Sequence, residues 1–155
     1  LREDKSWSYG VRARLSSRKG PRPMLVYAPV QTDRTVDSMK EIQKEYSDYL
    51  SSRPASNEEL NPIKQQIILG LNGQFETFGS LLSGVSGIVT FDRGDDYLNA
   101  VPEKYNAVTI DKVNAAAKKY LDPKTWTWFI VGDLSKIEED IRNLGLGEVE
   151  IIVLD

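Results

Sequence analysis

The chain has 155 residues, a length that fits one domain. Hydrophobic residues make up 40% and charged residues 28%, which excludes a disordered chain and permits a buried core. The net charge of -3 and the lack of any cysteine or histidine exclude a basic nucleic-acid footprint, a disulfide frame, a thiol nucleophile and any site that needs an imidazole.

Trp7 to Leu15 alternates apolar and polar, with Trp7, Tyr9, Val11, Ala13 and Leu15 on one face. That period of two predicts a half-buried strand. The polar turn Ser16–Pro21 leads to a second strand, Arg22 to Val30, so an antiparallel hairpin is expected. Arg12, Arg14, Arg18, Lys19 and Arg22 make a local basic cluster, read as a solvated strand edge and not as a phosphate site. A helix is expected from about Thr35 to Ser51, where Val36, Met39, Ile42, Tyr46, Tyr49 and Leu50 recur at helical spacing.

Ser56-Asn57-Glu58-Glu59 has the form of a capping box and should open a helix. Pro62 removes an amide donor a few residues in, which predicts a kink or restart near Asn61. The helix should then continue from Ile63 to Leu82, with Ile67, Ile68, Leu71, Phe75, Phe78, Leu81 and Leu82 as its apolar stripe. Gly84 to Arg93 reads as further helix, Gly94-Asp95-Asp96 as a turn, and Tyr97 to Tyr105 as a short helix. Thr109 should cap a helix through Tyr120, with Val113, Ala116, Ala117 and Tyr120 facing inward. Thr125 to Val131 is rich in aromatic and β-branched residues and predicts a strand. A helix from Ser135 to Leu144 and a last strand from Glu148 to Leu154 complete the chain. The expected class is α+β: one mostly antiparallel sheet with helices packed on one face.

No stretch is apolar enough to span a bilayer as a helix. The chain begins at Leu1, not Met, and is expected to be an excised domain whose targeting segment would lie in the part that is missing. The paired carboxylates Glu58/Glu59, Asp95/Asp96 and Glu138/Glu139 fall at caps or solvated positions, not in a paired-acid site. Gly84-Val85-Ser86-Gly87 lacks the Lys of a phosphate loop. On residue chemistry alone, Arg2 is a surface charge and Tyr9 a strand residue whose hydroxyl finds a partner.

Four segments carry a resemblance. They are Arg2-Glu3-Asp4-Lys5-Ser6-Trp7-Ser8-Tyr9-Gly10; Ser56–Leu60 with Lys64 and Phe75-Glu76-Thr77; Thr109–Val113 with Ala117–Pro123; and Phe129-Ile130-Val131-Gly132-Asp133. In this order and spacing they resemble the C-terminal-type, non-zinc-binding domain of the pitrilysin/insulinase (M16) zinc metallopeptidases, over essentially the whole chain. Proteases of that family clamp a peptide between two homologous halves. One half carries an HxxEH zinc site, and the other supplies an Arg and a Tyr. The resemblance implies that this chain is a single truncated domain forming the substrate-binding half. Tyr9 would stabilise the scissile oxyanion and contact substrate, and Arg2 would hold a substrate carbonyl. This chain itself would bind no metal; zinc would sit on an HxxEH-bearing half in the same or another chain. A peptide or protein is the implied substrate, and the chain alone should be inactive.

Members of the family also serve as non-catalytic core subunits, which is the alternative reading. A third reading sets the resemblance aside and leaves an α+β binding module with no catalytic past. Family habit points to a bacterial periplasm or envelope, or else to the mitochondrial matrix. Two departures stand out: Ser6 occupies a position usually held by Gly, and Trp7 one usually held by a smaller apolar residue. Family domains also begin with a strand and a helix before the Arg. Their lack here should expose apolar surface, and self-association to a dimer or higher is expected.

Overall fold

The computed structural model describes residues 1–153. The chain is helix-rich, with a small two-stranded antiparallel sheet. It divides into two compact units: Leu1–Ser16, Arg22–Ser47 and Pro123–Asp155 form the first, Ser17–Pro21 and Asp48–Asp122 the second.

In the first unit, β1 (Arg12–Leu15) pairs with β2 (Met24–Tyr27), with Arg12 opposite Tyr27 and Leu15 opposite Met24. The hairpin is as expected but its ladder is shorter, because only an isolated bridge, Ser8 to Val30, extends it. The apolar face expected to be half-buried is open: every residue of β1 is exposed. No second layer covers it among the described residues.

Helix α1 (Thr35–Leu50) matches its expected span. Ser38 and Met39 are buried, as is Ile137 of α6 (Leu134–Asn143). Helix α6 packs near the 3-10 turn Thr32–Arg34 that precedes α1. Trp126 stands edge-on to Tyr46 of α1, ring centroids 4.6 Å apart, and lies 5.8 Å from Trp128. Asp133 caps α6 through the amide of Ser135. Just before it, Gly132 lets the backbone approach Ile137: an added Cβ would sit 3.0 Å from Ile137 Cδ1.

The two late strands do not form among the described residues. From Trp126 to Val131 burial alternates, with Trp126, Trp128 and Ile130 half-buried and Thr127, Phe129 and Val131 exposed. The period of two is therefore present, but no neighbouring strand supplies a ladder. β-propensity reports fit to a pleated surface and cannot supply the partner. Residues 148–153 likewise join no sheet, and Leu154 lies outside the described residues.

In the second unit, α2 (Asn57–Gly70) starts at the expected capping box. Ser56 Oγ accepts from Glu59 N at 3.3 Å, and Glu59 Oε2 accepts from Ser56 N at 2.9 Å. Pro62 does not restart the helix, contrary to expectation. The doubly held first turn and the Leu60-to-Ser56 backbone bond carry the helix past one lost donor. The long continuation to Leu82 is also broken. α2 gives way to a 3-10 turn, Asn72–Phe75, and α3 (Phe78–Thr90) starts afresh at a second capping box, with Thr77 and Ser80 each holding the other's amide. Ser in place of Glu or Gln at the third position hides this box from a sequence pattern. The expected stripe splits accordingly: Ile67, Ile68 and Leu71 are half-buried, whereas Phe75, Phe78, Leu81 and Leu82 are exposed.

Helix α4 (Tyr97–Asn106) buries Val101, and α2 packs on α4. Helix α5 (Ile110–Tyr120) is capped by Thr109, whose Oγ1 accepts from Lys112 N. It buries Ala117, but Ala116 and Tyr120 face solvent.

Candidate functional site

The Arg2–Gly10 segment is built by backbone bonds at both ends. Ser6 N donates to Arg2 O, and Trp7 N to Leu1 O, both at 3.0 Å, closing a turn over residues 3–5. Ser6 has φ of 54°, in the left-handed region that favours glycine. The departure from Gly thus falls where the backbone asks for Gly. Trp7 is half-buried with two cations over its ring, Lys5 at 5.4 Å and Arg34 at 5.8 Å. Arg34 is in turn held by Asp33 and Asp37. These contacts give the larger side chain a local role.

Beyond the turn the chain is tied to the end of the second strand. Gln31 N donates to Trp7 O at 3.0 Å. Ser8 Oγ donates to Pro29 O at 2.6 Å and accepts from Gly10 N at 3.1 Å. Ser8 therefore fixes the backbone on both sides of Tyr9. Sequence reasoning missed it, since one Ser in an alternating strand carries no signal of a cross-strand clamp.

Tyr9 is 96% exposed, and among the described residues no hydrogen bond meets its hydroxyl. The half-buried strand expected here does not extend to Tyr9, which lies outside β1 and faces solvent, although Trp7 of the same expected face is half-buried. Arg2 is also solvent-facing, and its one ion pair, Nε to Glu3 Oε1 at 3.3 Å, is exposed. Such a pair holds the side chain weakly, at about 0–1 kcal/mol. Arg2 and Tyr9 share one short segment, but no hydrogen bond joins them. The arrangement offers a neutral donor and a permanent cation, both ready to meet an external group.

The sequence has no His or Cys, and among the described residues no three carboxylates gather into a metal-holding group. Asp133, which belongs to the α6 cap, is a clearly displaced titrating group. The Ser135 hydroxyl, then Lys136, hold its carboxyl below the ordinary 3.8. A surface depression of about 340 Å³ lies along α6 between Leu134 and Arg142 and is lined by none of the Arg2–Tyr9 residues.

No family model and no curated protein matches the sequence. Among solved structures, the fold is similar to the crystal structure of a peptidase M16 inactive domain from Pseudomonas fluorescens, with a TM-score of 0.65 and 17% identity. The match covers 76% of this chain and 28% of that one, so this chain spans well under half the length of its structural neighbour. The likeness shows an M16 inactive-domain-like fold.

Proposed function

We propose that this chain is the metal-free, substrate-contacting half of a zinc-dependent endopeptidase. It clamps a peptide against a zinc-bearing half supplied by another domain or subunit, in a bacterial envelope setting. The observation that carries this reading is Tyr9: an exposed side chain whose hydroxyl is unpartnered among the described residues, on a backbone clamped by Ser8, within a fold similar to an M16 inactive domain.

In this reading Tyr9 donates its hydroxyl to the scissile carbonyl oxygen as negative charge develops there. A preorganised donor of that kind contributes about 3–4 kcal/mol in the transition state. Arg2 donates to a substrate backbone carbonyl and sets the register of the peptide. The zinc, held by the other half, supplies Lewis-acid polarisation and an activated water when bound. This chain contributes orientation and hydrogen bonding only, so it hydrolyses nothing by itself.

A second reading, a non-catalytic subunit of the same fold, draws on the neighbour's description as an inactive domain. Peptide cleavage by the intact protease separates the two. Tyr9→Phe should lower kcat by about 10²–10³ with little change in KM. Unchanged turnover would sink the role of Tyr9. Absence of cleavage by a folded intact protein would favour the non-catalytic subunit.

A further inference from the structure

The free edge of β1 matches residues 148–153 in both charge and register. Ser16 N donates to Pro23 O, which fixes the phase of the hairpin. Antiparallel ladders alternate, so Arg12 and Arg14 turn their backbone groups toward β2, while Val11, Ala13 and Leu15 turn theirs outward. No backbone bond meets those outward groups among the described residues, and all five side chains from Val11 to Leu15 are exposed. Residues 148–153, Glu-Val-Glu-Ile-Ile-Val, alternate polar and apolar from Glu148 to Ile151, continue apolar to Val153, and also lie outside any sheet.

Laid antiparallel on that edge, Ala13 faces Val149 and Val11 faces Ile151 at the hydrogen-bonded positions. Arg12 then faces Glu150, and Arg14 faces Glu148. These are the non-hydrogen-bonded positions, where Cα atoms approach to about 4.5 Å and side chains come closest. One register thus pairs both arginines with both glutamates and sets apolar residues opposite apolar ones. Shifting by one residue in either direction places Arg12 opposite Val149 or Ile151 and loses both charge pairs. The competing contact is slight: Arg142 Nη1 reaches Val149 O only at 3.5 Å, and Arg142 is already engaged by Glu138 at 2.9 Å.

We infer that the β1 edge is a homodimerisation surface, on which β1 of one copy pairs antiparallel with residues 148–153 of a second copy. Both halves of the match lie on one chain, so a two-fold axis makes the contact twice, as an isologous interface requires. An open strand edge with exposed apolar side chains favours such pairing. The inference does not depend on the peptidase reading.

The test is light scattering on the full chain at micromolar concentration, with charge-reversed variants. Wild type should be a dimer. Arg12→Glu with Arg14→Glu, or Glu148→Lys with Glu150→Lys, should raise the dimer Kd by about tenfold or more. All four changes together should restore it. A monomeric wild type, a dimer indifferent to either reversal, or no rescue in the fourfold variant overturns the proposal. Hydrogen exchange on the unmodified chain gives a second reading that needs no variant. The amides of Ala13 and Leu15 should become protected as concentration rises. Protection independent of concentration would mean that the strand pairs within one chain, and no protection would mean an empty edge. Either result overturns the dimer.

Discussion

Asn114 of α5 holds both backbone groups of Ala55: Ala55 N donates to Asn114 Oδ1, and Asn114 Nδ2 donates to Ala55 O, each at 3.1 Å. The carboxamide matches the peptide unit edge to edge across 59 positions of sequence. Ser56, the next residue, caps α2, so this pair sets where α2 begins relative to α5. A second long-range tie lies at the other end of the unit. Lys64 Nζ donates to the carbonyl oxygens of Asn106, the last residue of α4, and Val108 just after it, both at 2.9 Å. A cation there satisfies orphan carbonyls and meets the negative end of the helix.

Asn114→Ala should therefore lower stability by about 2 kcal/mol, since two part-buried backbone groups lose their partner. Asn114→Asp should be no better than Ala. It keeps an acceptor for Ala55 N but sets carboxylate oxygen against the Ala55 carbonyl. Chemical denaturation of the three proteins gives the ranking; an Asp variant as stable as wild type would show that the carbonyl half of the pair contributes nothing.

Ser6 shows how a sequence departure and a backbone angle speak to each other. A non-glycine residue at φ of 54° carries a strain of about 1–2 kcal/mol. Ser6→Gly should remove most of that and stabilise the turn by up to about 1 kcal/mol, the remainder being offset by the greater freedom of Gly in the unfolded chain. An unchanged or lower Tm would mean that Ser6 is compensated elsewhere.

Ser38 is the opposite case, a polar group with no compensation among the described residues. It is 2% exposed, and its hydroxyl has no partner. Replacing a buried unsatisfied hydroxyl with a methyl removes a desolvation cost of about 1–3 kcal/mol, and Ala also raises helix propensity. Ser38→Ala should leave the fold intact and raise Tm. A clear loss of stability would imply that the hydroxyl is paired in solution.

The local signals in this sequence were legible, and the long-range ones were not. Ser56 with Glu59, Thr109 and the stop at Asp122-Pro123 place helix ends from a few residues, because caps are local chemistry. The antiparallel hairpin follows from alternation and a polar turn. The late strands failed for a physical reason. Trp126 to Val131 has the composition and the period of a strand, but the ladder partner is not encoded in that segment. Ser8, Lys64 and Asn114 escaped for the same reason, since each acts on a backbone group 21 or more residues away. The Phe129–Asp133 segment of the resemblance now has a local account: Gly132 admits Ile137 closely, and Asp133 caps α6.

The Asp133 cap gives a pH dependence with a definite sign. Its folded-state pKa lies below the ordinary 3.8, chiefly through the Ser135 hydroxyl and then Lys136. A depressed carboxylate contributes stability that is fully present above the unfolded pKa and fades as pH falls through the folded value. Thermal unfolding should therefore show this contribution intact above about pH 5 and decaying below about pH 4. Asp133→Asn keeps an acceptor for the α6 amide but cannot ionise, so its Tm should fall less than that of wild type on acidification. Parallel acid slopes in the two proteins would remove Asp133 from the titration.

Arg2 and Tyr9 should separate cleanly in the intact protease, because neither supports the fold. Among the described residues the Arg2 side chain pairs with Glu3 in an exposed ion pair, and no hydrogen bond meets the hydroxyl of the exposed Tyr9. Surface changes of this kind move stability by about 0.5 kcal/mol or less, so Tm should be unaffected by Arg2→Ala or Tyr9→Phe. A loss of activity then reports on the reaction. A carbonyl held equally in ground and transition states is uniform binding, so Arg2→Ala should raise KM by about 10–100-fold at nearly constant kcat. Arg2→Lys keeps the charge but loses the planar fork, and should fall between the two. Tyr9 acts on charge that appears only in the transition state, so Tyr9→Phe should fall on kcat. If both substitutions moved the same constant by the same factor, the two side chains would share one role, and the division between register and oxyanion stabilisation would be wrong.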